Sequence, residues 1–278
     1  MINKPRFLVA ILFCGISFFV FSCKKYSSDT QYGIANNQVN LINKALVIGS
    51  GGKIFEGDMP KSISNTISIT DSPKAVQVSA GVLLFFNFGT SNNANLCKLY
   101  LQIDSADTYW EAPIQIDPVS TRPFIKLLIP NFVRNGNFKL NFSVEDCAGN
   151  ISSVSNTELA VTDPLSCGST FEGSIGITAL TANLGNKAGL VTINYNMFTV
   201  KDRLDVRYKD KWILSTGNVL AENGYPNCNN YGLPNSGFVS GGNTVSFNYD
   251  PKESKFVEIY VTGCESGTRW NVTINCPQ

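Results

Sequence analysis

Histidine is absent from all 278 residues. Its absence excludes Ser-His-Asp and Cys-His catalysis, histidine general acid–base work and His-ligated metals. No Cys-x-x-Cys pair and no Gly-x-Ser-x-Gly occur, so neither a zinc ribbon nor a nucleophile elbow is available. Charge is scarce and balanced: Asp, Glu, Lys and Arg make up 15% of the chain, with Lys+Arg 22 against Asp+Glu 21. Such a chain has no electrostatic footprint for nucleic acid. Gly49-Ser50-Gly51-Gly52-Lys53 fails as a phosphate loop, because Val47 stands where the first glycine belongs and Ile54 where Ser or Thr belongs. Carboxylate chemistry remains open through Glu172, Asp202, Asp210 and Glu222, but no motif selects two of them to straddle a bond. An enzyme is therefore not expected.

Long hydrophobic runs are also lacking, with one exception at the start. Lys4 and Arg6 precede Phe7–Phe21, which is apolar except for Ser17. A positive start, a short apolar stretch and a small residue at the cut describe a secretory signal peptide over residues 1–22. At about 1.5 Å per residue the run would reach only about 22 Å, short of the roughly 30 Å hydrocarbon core of a bilayer. Val20-Phe21-Ser22-Cys23 closes it. This stretch resembles the lipobox of bacterial lipoproteins in its relaxed Bacteroidota-like form, with Phe21 in place of the usual smaller residue. The resemblance implies a lipidated Cys23 as first mature residue, palmitate-type acylation, and a place at the cell envelope on the outer membrane. Loss of Lys4 and Arg6 with the leader turns the net charge from +1 to −1.

The mature chain, about 255 residues, has the length of two ordinary domains. Residues 23–61 are polar, rich in Ser, Asn and Gly, and read as a lipidated tether, with Val39–Ile48 as a candidate short helix or added strand. Over 62–163 short alternating or apolar runs recur, the clearest being Phe138, Leu140, Phe142 and Val144 against Lys139, Asn141 and Ser143. About seven such runs in about 100 residues indicate a β-sandwich. Asp163-Pro164 ends this unit, since proline cannot continue a ladder. Over 164–278 the alternation is cleaner, as in Val191, Ile193 and Tyr195 or Val257, Ile259 and Val261, and indicates a second sandwich or jelly roll. The expected fold class is all-β: two tandem β-sandwiches, the second jelly-roll-like, behind a signal peptide and flexible tether.

Gly136-Asn137-Phe138-Lys139-Leu140-Asn141-Phe142-Ser143-Val144-Glu145-Asp146-Cys147-Ala148-Gly149-Asn150 resembles the F strand and F–G turn of bacterial immunoglobulin-like domains. The resemblance implies an immunoglobulin-like first sandwich, although the Cys…Trp…Cys spacing of true immunoglobulins is missing. It also implies that Cys97 and Cys147, on neighbouring segments, form a bridge. Of the 8 cysteines, Cys14 leaves with the leader and Cys23 takes lipid. The even remainder argues for disulfides in an oxidising compartment. Cys167 with Cys276 would staple the ends of the second domain, and Cys228 with Cys264 would pin an Asn-rich loop. Other connectivities stay open.

Three places are candidate sites. The loop 225–242 combines Tyr225, Tyr231 and Phe238 with amides such as Asn229 and Asn230, a mixture suited to the apolar faces and hydroxyl edges of sugars. Its alternative is a pinned cover loop whose aromatics cap the core. Asp202 and Asp205 could hold Ca²⁺, but i and i+3 of one strand face opposite ways, and a solvated strand face is the alternative; the segment Tyr195–Gly217 around them resembles secreted bacterial β-sandwich modules of unclear role. Glu145, Asp146 and Asn150 could likewise meet an ion, and are better explained as turn formers. No other cofactor is indicated. The expected protein is a lipid-anchored, non-catalytic binding or adhesion module with a glycan or protein ligand at the cell surface. The rival is a structural envelope spacer, with a carboxylate-based hydrolase further off.

Overall fold

A computed structural model describes residues 38–62, 66–91, 95–117, 121–133, 135–216, 228, 231–232 and 236–278. The leader and Cys23 lie outside these residues. A short helix, α1 (38–45), leads into β1 (Val47–Ile48), β2 (Lys53–Glu56), β3 (Ile69–Asp71), β4 (Ala75–Ser79), β5 (Leu83–Asn87) and β6 (Gly89–Thr90). Then come β7 (Leu96–Ile103), β8 (Thr108–Pro113), β9 (Gln115–Ile116), β10 (Pro123–Leu128), β11 (Gly136–Asp146) and β12 (Ser155–Thr162). The second half holds β13 (Leu165–Ser166), β14 (Thr170–Gly173), β15 (Gly176–Asn183), β16 (Gly189–Asn196) and β17 (Asp202–Tyr208). It ends with β18 (Lys211–Ser215), β19 (Gly242–Tyr249), β20 (Phe256–Gly263) and β21 (Trp270–Ile274).

The architecture is all-β, in two sandwiches. In the first, β4 lies parallel to β12, and the sheet continues through β11, β7, β8 and β2. A smaller sheet of β1, β10, β5 and β9 covers it, which gives the immunoglobulin-like arrangement. Phe86 and Phe88 of the covering layer meet Phe142 of β11 edge-on, with centroids 5.9 and 5.3 Å apart. In the second, β14-β21-β16-β19 packs on β18-β17-β20-β15. That strand order is the double Greek key of a jelly roll. Trp270, Val272, Ile193 and Val261 fill its core.

The two sandwiches share one sheet. β4 pairs parallel with β12 on one side and, through Val76, Gln77 and Val78, with Ile177, Thr178 and Ala179 of β15 on the other. An 11-stranded sheet therefore runs through both units. Side chains alternate across it, so the face that is inside the first sandwich becomes the outside of the second. Val76 and Val78 sit in the first core, and Ile177, Ala179 and Tyr260 of the second unit join that same cluster. Tyr260 stands against Trp212 and Phe85, 4.8 and 6.4 Å between centroids, and its hydroxyl is 2.8 Å from the Leu83 carbonyl oxygen. Gly176, at φ +116°, makes the junction possible: a Cβ there would collide with the Ala75 carbonyl oxygen.

Within the expected tether over 23–61, the candidate helix or strand at Val39–Ile48 is present as α1 and β1, and the described part is packed onto the first sandwich instead of free. Ile42, Leu46 and Ile48 are buried in the first core. Asn43, fully buried, donates to the Thr108 carbonyl oxygen at 2.8 Å and accepts from the Ile103 amide. β2 pairs with β8 and extends the large sheet. Polar composition concealed these contacts, since a few apolar residues suffice when the partner surface lies elsewhere in the chain.

Three disulfides link Cys97–Cys147, Cys167–Cys276 and Cys228–Cys264. The first joins neighbouring segments of one sheet, β7 and the turn after β11, rather than crossing the core. Removing it by Cys97→Ala with Cys147→Ala is expected to cost about 2–4 kcal/mol in urea unfolding. Tyr260→Phe, which loses the hydroxyl at the junction, is expected to cost about 1 kcal/mol in the same assay.

Candidate functional site

A cleft of about 760 Å³ opens where the two sandwiches meet. Its walls come from sequence-distant segments: the turn Asp71–Ala75 before β4, Asn87 at the end of β5 and Arg122 before β10. The facing wall is the start of β15, Ile175–Ile177, with Gly263 and the Cys228–Cys264 bridge. The size falls in the range of small-ligand sites, which favour domain interfaces.

The polar groups are held in place. Arg122 pairs with Asp71, and its Nε donates to the Phe88 carbonyl oxygen at 3.3 Å. Gly89 lets this pair cross the chain, since a Cβ there would stand 2.5 Å from Asp71 Oδ2 and 2.7 Å from Arg122 Nη2. Asn87, nearly buried, donates to Asp117 Oδ2 at 3.2 Å. Lys74 is exposed on the rim and has no ion pair among the described residues. Pro73, Ala75, Ile175 and Ile177 supply apolar surface. The cleft thus offers a hydrocarbon wall, one amide, a paired arginine and an exposed ammonium.

The Asn-rich loop borders this cleft through Cys228. Of its predicted site residues, Tyr225, Asn229 and Asn230 lie outside the described residues. Tyr231 is half-buried, meets Phe238 edge-on at 5.2 Å, and is hydrogen-bonded through its hydroxyl to Glu265, which with partial burial pushes its pKa up to about 12. Phe238 is only 7% exposed. The expectation of Phe238 as a ligand-facing ring is therefore corrected: it is buried against Tyr231, with little of its face open to a ligand.

The calcium expectation for Asp202 and Asp205 is also corrected. They project from opposite faces of β17, and among the described residues no cluster of three or more acidic or thiol side chains could hold a metal ion. Nor is the segment a solvated face, because both carboxylates are fully buried. Asp205 takes a forked hydrogen bond from Arg203, with Nε–Oδ2 and Nη2–Oδ1 both 2.8 Å, and Arg203 Nη1 donates to the Ser236 carbonyl oxygen at 2.9 Å. Burial raises the Asp205 pKa while the guanidinium pulls it back. Asp202 accepts from Thr268 Oγ1, and its backbone pairs with Val239. The bonds to Ser236 and Val239 hold the C-terminal end of the loop onto β17. Sequence reasoning weighed the acids for an ion and did not find the partner of Asp205 two residues away. At the first sandwich's tip, Asp146 accepts from the Ala148 and Asn150 amides at 2.9 Å, a turn and not an ion site.

No known protein family and no curated protein sequence matches the chain. Solved structures share its β-sandwich character at low similarity. The pre-peptidase C-terminal domain of a Bacillus anthracis collagenase matches at 13% identity and a TM-score of 0.28, over 40% of this chain and 91% of that one. The D00-D0 domain of intimin matches at 11% and 0.26, over 74% and 92%. The Bacteroides ovatus mixed-linkage glucan utilization protein SGBP-B, solved with a heptasaccharide, matches at 10% and 0.21, over 77% and 74%. At these values nothing about ligand or site passes to this chain.

Burial raises the Asp202 pKa to about 6, against the hydrogen bond from Thr268, which lowers it. The folded state thus holds the proton more tightly than the unfolded chain, and this stabilisation is present below the unfolded value near 4 and lost as pH rises through about 6. Asp202→Asn is expected to flatten the stability–pH curve between about 4 and 6 and to be the more stable protein at pH 8, by on the order of 2 kcal/mol. Urea midpoints at several pH values check this.

Proposed function

We propose that the chain is an exported, lipid-anchored, non-catalytic envelope protein that binds a saccharide in the cleft between its sandwiches. The observation that carries this reading is the cleft itself, whose walls are fixed by a shared sheet and a disulfide before any ligand arrives. Preformed walls spare the ordering cost of binding. Ile175, Ile177 and Pro73 suit the C–H faces of a sugar ring, while Lys74, Asn87 and Arg122 suit its hydroxyl and acidic groups. Against catalysis stand the missing histidine and the engagement of Asp71 by Arg122 and of Asp117 by Asn87. The anchor rests on the Val20–Cys23 stretch; two or more acyl chains hold a protein stably where one does not. Among the described residues no helix is long and apolar enough to cross a membrane.

The spacer reading has one observation in its favour, the 11-stranded sheet, which makes a stiff body of both units. Binding and spacing separate by experiment. On a panel of soluble oligosaccharides, saturable binding is expected. It should fall at least tenfold in Ile175→Trp, which fills the cleft from an exposed position, and should weaken for acidic sugars in Lys74→Ala. No binding across the panel, or binding indifferent to Ile175→Trp, would refute the cleft. Palmitate labelling of the cell-expressed protein is expected, and expected to vanish in Cys23→Ala.

A further inference from the structure

The outward face of the β14-β21-β16-β19 sheet has a composition unlike the rest of the surface. Its inward positions, among them Phe171, Val191, Ile193, Phe247 and Val272, pack in the second core, so alternation turns the residues between them outward. The ladder registers set these outward residues in rows. Thr170, Thr273, Asn194 and Thr244 stand side by side across all four strands. Glu172, Asn271 and Asn196 form the row on one side, and Thr192 and Ser246 the row on the other. Neighbours in the rows are joined: Thr170 to Thr273 at 2.7 Å, Thr244 to Asn194 at 2.7 Å, and Asn275 to Thr192 at 2.9 Å. On these strands Glu172, at the margin, is the single outward charge, and Leu190 the single large apolar group.

The outer face of the first sandwich provides the contrast. There Lys98 bridges Glu111 and Glu145 at 3.8 and 3.3 Å, and Lys139 stands opposite Glu158. A solvent face normally carries mixed charge of that kind. The face on β14-β21-β16-β19 has amides and hydroxyls instead, fixed in a grid with strands about 4.8 Å apart.

We propose that this face is a binding surface for an extended, neutral polysaccharide. Its charge content selects the occupant. Its four strands carry no lysine or arginine, and Arg269 stands only at their end, just before β21, so the rows give no hold to phosphates, anionic lipid or acidic glycans. With Leu190 alone it gives no hold to an apolar partner. A neutral polyhydroxyl chain remains, since each of its hydroxyls donates and accepts, as each Thr and Asn here does. Neutral groups also shed water at far lower cost than charges. A single hydrogen bond nets only about 0.5–1.5 kcal/mol, and the grid has no aromatic platform. Affinity must therefore come from many repeated contacts, so a polymer binds and its short fragments do not. The face is on the opposite side of the second sandwich's core from the cleft and does not depend on it.

The test is co-sedimentation of the full mature chain with insoluble neutral β-glucan and chitin. The wild type should be retained on at least one of them and should not be displaced by the matching soluble tetrasaccharide or by an acidic polysaccharide. Asn194→Lys and Thr273→Lys, both on exposed or half-exposed positions, should each cut retention at least tenfold with melting temperatures near that of the wild type. Asn194→Gln should retain binding, which separates lost chemistry from lost fold. Ile175→Trp should leave retention unchanged, so that failure of the cleft and failure of this face are told apart. No retention of the wild type on either polymer, or equal retention of the lysine variants, would overturn the proposal. So would self-association of the wild type that the lysine variants abolish, because the occupant would then be a second copy.

Discussion

The structure depends on one short strand with parallel partners on both sides. β4 completes the first sandwich by lying along β12 and, on its other edge, receives β15 of the second. An edge strand left open is a liability, with unpaired amides and carbonyls in a row. Here the edge is used to join two units, and the joint is sealed by apolar contact, with Ile177, Ala179 and Tyr260 entering the first core. Gly176 permits the approach by having no side chain at the point where β15 meets Ala75.

The shared sheet decides where ligands can reach. Because the covering layers lie on opposite faces of it, the free side of the second unit's inner sheet turns toward the first unit. The flank of that side becomes the cleft, walled by Ile175–Ile177 and the Asp71–Ala75 turn. Further along, the buried pair of Arg203 and Asp205 holds the chain at Ser236 through the Arg203 Nη1 bond to its carbonyl oxygen. The far sheet of the second unit faces away from the first altogether, and it holds the grid of amides and hydroxyls. One topological choice thus produces two surfaces of different chemistry.

Much of this was legible in the sequence, for definite reasons. Alternation over Phe138–Val144 and Val257–Val261 marks half-buried strands, because a period of two leaves no other assignment. The six cysteines other than Cys14 and Cys23 are an even number that argues for bridges, and the immunoglobulin-like stretch located one of them. Val39–Ile48 was legible as a short helix or added strand, but the burial of Ile42 and Leu46 and the pairing of β2 were hidden, since their partners lie far along the chain. The partnership of Asp205 with Arg203 was hidden because alternation shows only that i and i+2 share a face; that this face is buried, with Arg203 also bonded to the distant Ser236 carbonyl, cannot be read from the strand itself. The cleft was illegible for a stronger reason, as its walls come from segments between residues 71 and 264 that only the shared sheet brings together.

The central claim is that β4 makes a single rigid body of both sandwiches, with the cleft formed in advance. Backbone residual dipolar couplings measured on the free mature protein test it most directly. One alignment tensor is expected to fit the amides of both units in the orientation set by the pairing of Val76–Val78 with Ile177–Ala179. Two tensors of different magnitude, one for each sandwich, would mean that the units move independently and would contradict the account.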